Sequence, residues 1–183
     1  MNQTIKSFVH NIKKYIVTHR YTIYLAVPFL LMDIITRIFG YKIGFFPTFY
    51  PAPNIFTLIW IFLFLGIITC LKGVGSKIAY WTLFSLFFIL FLTNTIYYSF
   101  TSFYFSFNLM LMAGEGSSYI WDTIIHANPL IYILAVLIVI IAVIVFKKSP
   151  EKKVFRPKRL GVIFLIFIAL HLLAPLCLGF ANS

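Results

Sequence analysis

Acidic residues are scarce in this sequence, which contains only four Asp and Glu among its 183 residues. They are Asp33, Glu115, Asp122 and Glu151. Carboxylate-pair and two-metal active sites need several acids that converge on one point. Because these four could not build such a site without a partner, we expect no catalytic residue and no resident metal in this chain. Whether the chain belongs to an enzyme stays open at this point.

Charged residues of both signs are few, and motifs for known chemistry are missing. Charged side chains make up 10% of the chain, whereas soluble domains contain about one quarter. CxxC pairs, Walker loops and the GxGxxG and GxSxG patterns do not occur, so the sequence predicts no nucleotide site and no cofactor. The two cysteines, Cys70 and Cys177, fall near opposite membrane faces in the assignment below, which argues against a disulfide between them.

Hydrophobic residues are abundant instead. They make up 62% of the chain, with 22 Phe and 11 Tyr, and the mean hydropathy is +1.00. A soluble fold of this size could not hide so much apolar surface, whereas a bilayer accommodates it as an apolar solvent. The composition therefore predicts an all-α polytopic membrane protein.

Five apolar segments approach the length of a membrane-spanning helix, about 20 residues. The predicted spans are 21–39, 55–71, 78–100, 130–146 and 160–178. Pro47, Pro51 and Pro53 interrupt the stretch 41–54, which we predict to be an ordered loop in the membrane interface. The polar residues at 72–77 predict a tight turn between two antiparallel helices.

Two further segments predict helices that lie on the membrane surface. Residues 1–20 place six apolar side chains on one helical face, which is typical of an amphipathic helix at the cytoplasmic face; a partly disordered tail is the alternative. The apolar run that follows is too long for a cleaved signal peptide, so residues 21–183 form the five-span domain. Residues 119–127 predict a short helix in the outer interface, capped by Ser118.

Lysine and arginine are distributed unevenly between the predicted loops. Thirteen of the 15 lie in residues 1–20, 72–77 and 147–159, and only Arg37 and Lys42 fall on the other side of the membrane. The positive-inside rule therefore places the N-terminus in the cytoplasm and, after five crossings of the cell membrane, the C-terminus outside. Topology and anionic lipids explain the net charge of +11, so we expect membrane lipids as partners and no nucleic acid.

Asp33 and Arg37 are charged residues within the first predicted span. Each costs about 2.5–3.5 kcal/mol at the membrane centre, and their i,i+4 spacing predicts a pair on one helix face that offsets part of this cost. The pair either fixes helix packing, together with Asn94 at a similar depth, or forms an ion or head-group site. The lack of a second buried acid favours packing. Arg37 and Lys42, the only outward cations, are the candidate contacts for a lipid phosphate.

Three other features of the sequence could carry function. Asp122 and His126 are four residues apart, but two ligands do not make a metal site, and the polar face of an interfacial helix is the simpler interpretation. His171, inside the fifth span, is predicted to be a hydrogen-bonded packing residue. An outer aromatic band predicts an interfacial belt or the wall of a lipid-binding groove; its members are Tyr97, Tyr98, Phe100, Phe103, Tyr104, Phe105 and Phe107.

A family resemblance rests on residues 90–115. The third span ends in Asn94-Thr95-Ile96-Tyr97-Tyr98, and Ser106-Phe107-Asn108-Leu109 and Ala113-Gly114 follow. This stretch resembles the membrane part of lipoteichoic acid synthases and related phosphoglycerol transferases. The five-span plan, the orientation and the long outer connection after the third span are similar to that family as well.

The resemblance implies a role in lipoteichoic acid synthesis, and so in the bacterial cell envelope. In that family the fifth span leads into an extracellular domain that holds manganese and a threonine nucleophile and acts on phosphatidylglycerol. None of those catalytic residues can be carried over onto this sequence. The implied function is therefore a non-catalytic membrane anchor and lipid-substrate platform, partnered by phosphatidylglycerol and by a C-terminal extracellular catalytic domain or a partner enzyme. The alternative is a free-standing lipid transporter or scaffold; phosphoethanolamine transferases also share the five-span plan.

Overall fold

The computed structural model describes residues 21–40, 51–101, 121, 123–149 and 155–179, and all regular structure in these ranges is helical. Five helices are long. They are α1 (residues 21–40, ending in the π-helical turn Thr36–Gly40), α2 (Pro51–Cys70), α3 (Gly73–Thr101), α4 (Pro129–Lys148) and α5 (Pro157–Gly179). The amphipathic helix predicted at 1–20 and most of the outer connection lie outside the described residues.

Four of the described helices are long and apolar enough to cross a membrane. They are Tyr21–Phe39, Gly73–Ser99, Pro129–Lys148 and Pro157–Leu176, and each has 19 to 27 residues. At about 1.5 Å of rise per residue, such lengths approach or exceed the hydrocarbon thickness of a bilayer. Asn54–Cys70, in α2, is apolar but shorter. The described part of the chain is therefore helical, and four of its helices have the length and apolar composition of membrane-spanning helices.

The second helix begins earlier than its sequence suggested. It starts at Pro51, inside the stretch 41–54 that we predicted to be a loop. Proline fits the first turn of a helix because the backbone N–H groups there have no partner within the helix, and its fixed φ suits the helical backbone. Pro51 and Pro53 therefore open α2 instead of preventing it.

The turn between α2 and α3 is also shorter than predicted. Only Leu71 and Lys72 separate the two helices, and the remainder of the polar stretch 72–77 forms the first turn of α3. Gly73 has a φ of +46°, a left-handed conformation that costs other residues more than glycine. The Ser76 hydroxyl donates to the Ile68 carbonyl at 2.7 Å, which satisfies an acceptor near the end of α2.

Helix α1 contributes heavily to the main hydrophobic core. Leu25, Phe29 and Met32 are buried in a cluster that also takes side chains from α2, α3 and α4. The Phe29 ring contacts four aromatic rings, which belong to Phe64, Tyr80, Phe84 and Phe87. Aromatic side chains of the neighbouring helices thus interlock around α1.

Helix α5 packs on α2 through a separate, smaller cluster. Ile163, Phe167 and Ala174 are buried against Ile59 and Leu63. Most other side chains of α5 are exposed in the isolated chain, as expected for a helix that faces lipid on its remaining sides. Helix α5 is therefore attached through α2 to a main core that is built from α1, α2, α3 and α4.

Candidate functional site

A polar network joins the end of α1 to the start of α2. The Arg37 guanidinium pairs with Asp33, one turn earlier, with 2.8 Å between Nη2 and Oδ2. Its Nη1 donates to Asn54 Oδ1 at 2.8 Å and its Nη2 donates to Thr57 Oγ1 at 3.2 Å. The Arg37 side chain is only 11% exposed and that of Asp33 is 30% exposed. Arg37 is thus held inside the protein by one carboxylate and two neutral acceptors.

A second contact ties α1 to α3 at a neighbouring position. Thr36 donates its hydroxyl hydrogen to the Met32 carbonyl at 2.8 Å and accepts one from the fully buried Thr95 at 3.2 Å. Thr36 is also the first residue of the π-helical turn, and such turns recur at functional sites. The polar groups of three helices therefore lie close together at one end of the core.

A cavity of about 340 Å³ lies beside this network, between α1, α2 and α3. This volume is within the range of small-molecule sites, about 300–1,000 Å³. Its polar lining comes from Asp33, Thr36, Thr57 and Asn94. Its aromatic lining comes from Phe29, Phe56, Trp60, Phe64, Phe87 and Phe91. An apolar chamber with a few polar groups along it is the usual composition of a ligand site.

The sequence-predicted polar residues have unequal places in this site. Asp33 and Asn94 both line the cavity, but they do not bond to each other, because Asn94 Nδ2 donates to the Leu90 carbonyl at 2.9 Å. Arg37 lies behind Asp33 and does not line the cavity. Lys42, the second candidate for a lipid phosphate, lies outside the described residues.

The outer aromatic band is described only in part. Tyr97 and Tyr98 lie at the end of α3, half-buried, and neither borders the cavity. Phe103 and Tyr104 lie outside the described residues. The rings that do line the cavity belong to residues in the interior of α1, α2 and α3, and the role predicted for the outer aromatic band stays a prediction.

Four residues of the site were missed by sequence reasoning: Thr36, Asn54, Thr57 and Thr95. Each is a small polar residue in an apolar segment, and such residues occur throughout membrane helices without a shared function. Two positions in the sequence could have indicated the site: Thr36 lies between Asp33 and Arg37, and Thr95 lies next to Asn94. Nothing in the sequence linked Asn54 or Thr57 to Arg37.

His171 lies between α2 and α5. Its Nδ1 is buried without a hydrogen-bond partner among the described residues, so the structure shows no hydrogen bond at this nitrogen. The imidazole instead contacts the rings of Phe56, Trp60 and Phe167, with centroids 5.4, 6.1 and 5.5 Å away. Ring packing between α2 and α5 holds this side chain.

Metal binding finds no support in the described part of the chain, where no group of three or more His, Cys, Asp or Glu side chains converges. His126 is exposed, and Asp122, its expected neighbour on the helix, lies outside the described residues. Comparisons with protein-family models, with curated proteins and with solved structures gave no match.

Proposed function

We propose that this chain is a five-span membrane domain that anchors a cell-envelope enzyme and holds its lipid substrate. The observation that carries the proposal is the aromatic cavity between α1, α2 and α3, with polar groups at one end. A chamber of this kind can take an acyl chain along its apolar walls and a polar lipid group beside Asp33 and Asn94.

The fifth crossing in this proposal is α2. It has 20 residues from Pro51 to Cys70 and a strongly apolar composition. A turn of two residues connects it to α3, so the two helices must run antiparallel side by side. A membrane that is crossed by α3 therefore also surrounds α2.

The orientation in this proposal has the N-terminus in the cytoplasm and the C-terminus outside. The asymmetry of lysine and arginine supports it. We expect reporter fusions after residues 20, 45, 75, 115, 155 and 183 to alternate in, out, in, out, in and out. Fusions after 45 and 75 on the same side of the membrane would show that α2 does not cross, and the five-span arrangement would be wrong.

With this orientation the polar end of the cavity lies in the outer half of the membrane. Asp33 and Arg37 are near the outward end of α1, Asn54 and Thr57 are near the outward end of α2, and Asn94 is near that of α3. A lipid of the outer leaflet has its head group near this depth. The cavity would then present that lipid to a catalytic domain above the bilayer.

The resemblance of residues 90–115 to lipoteichoic acid synthases supports a more specific proposal. The lipid would be phosphatidylglycerol, and the catalytic partner would be a manganese-dependent phosphoglycerol transferase domain, either joined to this chain or separate. The polar network would have a supporting role in that case, because it connects the three helices that enclose the cavity.

Trp60 offers a direct test because it lines the cavity and is 39% exposed. A protein that retains Trp60 alone, through Trp81→Phe and Trp121→Phe, would be titrated in micelles with phosphatidylglycerol brominated on its acyl chains. We expect saturable quenching of the Trp60 fluorescence. Leu90→Phe inserts a ring into the cavity and should raise the half-saturating lipid concentration about fivefold. This ratio corresponds to the lower end of the free-energy cost of overpacking.

The matched control is Leu86→Phe, the same change on α3 at an exposed residue outside the cavity. It should leave the titration unchanged. Equal titrations for Leu86→Phe and Leu90→Phe would mean that bulk lipid, and not a lipid in the cavity, quenches Trp60.

A further inference from the structure

The polar groups that face the cavity differ in their remaining capacity for hydrogen bonds. Asp33 binds Arg37 through Oδ2, and its Oδ1 has no partner in the described part of the chain. Asn94 uses Nδ2 for the Leu90 carbonyl, which leaves its Oδ1 as an acceptor. Thr36 has already committed its hydrogen to Met32. The cavity therefore offers acceptors from two helices, α1 and α3.

Arg37, the nearest strong donor, is occupied elsewhere. Both of its terminal nitrogens donate to Asp33, Asn54 or Thr57, and its side chain is 11% exposed. A lipid phosphate in the cavity would meet the Asp33 carboxylate and would have to displace one of these partners to reach the guanidinium. Like charges at short range in apolar surroundings are strongly unfavourable, so the geometry disfavours an anion here.

A cationic head group is also a poor match. The carboxylate of Asp33 is already neutralised by a guanidinium 2.8 Å away, and an incoming ammonium would meet that positive charge at close range. The site is thus neutral overall, and its open groups accept hydrogen bonds. A neutral donor, the hydroxyl group, satisfies both conditions.

We propose that the polar end of the cavity binds the hydroxyl groups of an uncharged, phosphate-free alcohol head group, which donate to Asp33 Oδ1 and Asn94 Oδ1, in preference to the phosphate-linked head group of phosphatidylglycerol. This inference rests on the proposed function, because it assumes that the cavity holds a lipid. It also revises the expectation that Arg37 binds a lipid phosphate: Arg37 is a positioning residue that orients the Asp33 carboxylate.

Three single-chain probes with chains of the same carbon number, one neutral, one anionic and one cationic, can test this. They are a dodecanoyl monoacylglycerol, dodecyl phosphate and dodecylamine, each titrated into the Trp60-only protein loaded with brominated phosphatidylglycerol. Displacement restores the Trp60 fluorescence. We expect the monoacylglycerol to displace the brominated lipid at about tenfold lower concentration than either charged probe. A tenfold difference corresponds to the net free energy of one to two hydrogen bonds.

Asn94→Leu should reduce this preference to about threefold, since one acceptor is lost. Ser85→Leu is the matched control, because Ser85 is an exposed polar residue of α3 outside the cavity, and it should keep the full preference. If the three probes are equally potent, or if the phosphate or the amine is preferred, the proposal that the site binds hydroxyl groups is wrong. The proposal that the cavity holds a lipid would not be affected by that result. If phosphatidylglycerol fails to quench Trp60 saturably, the proposed function fails and the assignment fails with it.

Discussion

Replacing Arg37 with methionine is expected to lower the free energy of unfolding by about 3 kcal/mol. This is the low end of the cost of breaking a buried ion pair, because the pair with Asp33 is only partly buried. The change leaves the Asp33 carboxylate without its counter-charge in largely apolar surroundings. Asn54 and Thr57 also lose a hydrogen-bond donor. Unfolding in mixed micelles with increasing dodecyl sulfate, followed by circular dichroism, would measure the loss.

Two controls separate the effect of breaking the ion pair on stability from the effect of losing a long side chain. The double variant Asp33→Asn with Arg37→Met removes both charges and should recover at least about 1 kcal/mol of the loss. Arg159→Met makes the same change at an exposed residue of α5 and should alter stability by less than about 0.5 kcal/mol. A double variant no more stable than Arg37→Met would show that the charge of Asp33 is not the source of the cost.

Gly66→Ala is expected to separate α2 from α5. A Cβ at position 66 would lie 2.5 Å from Ile163 Cγ2 and 3.1 Å from its Cδ1, and the branched side chain of isoleucine has little freedom to rotate away in a helix. The overpacking should cost about 1–3 kcal/mol, despite the better helix propensity of alanine. A cysteine crosslink between the two helices, or unfolding in mixed micelles, would report the change.

Gly161 gives a matched control for this substitution. It lies in α5, the helix that carries Ile163, and a Cβ there would have no neighbour within 4 Å. Gly161→Ala should be neutral or slightly stabilising, since only the propensity gain remains. Adding Ile163→Ala to the Gly66→Ala variant removes the clash and should restore the helix contact. Equal stability of the two glycine variants would contradict a close approach of the helices at Gly66.

The helical content and the approximate positions of the helices follow from the sequence because apolar runs of this length have few alternatives in a bilayer. The spacing of Asp33 and Arg37 likewise pointed to a pair, since residues four apart face the same side of a helix. Both inferences depend on local periodicity, and local periodicity is visible in one sequence. The start of α2 at Pro51 was missed because proline has opposite effects at the first turn and in the interior of a helix.

Which residues form the site could not be predicted from the sequence, because it depends on which helices are in contact. Asn54 and Thr57 bind Arg37 across 17 and 20 residues, and Thr95 reaches Thr36 across 59. No periodicity in the sequence relates such positions. The same holds for Gly66 and Ile163, where a missing side chain on one helix accommodates a branched one on another.

The sequence alone determined a membrane-embedded helical protein with a pair of opposite charges near one end of its first span, because hydropathy and helical spacing are properties of short segments. Tertiary structure decided that Arg37 faces inward, that Asp33 and Asn94 line an aromatic cavity, and that the open polar groups there are acceptors. These features arise from the angles and faces at which α1, α2 and α3 pack, and those are set by the fit of many side chains together.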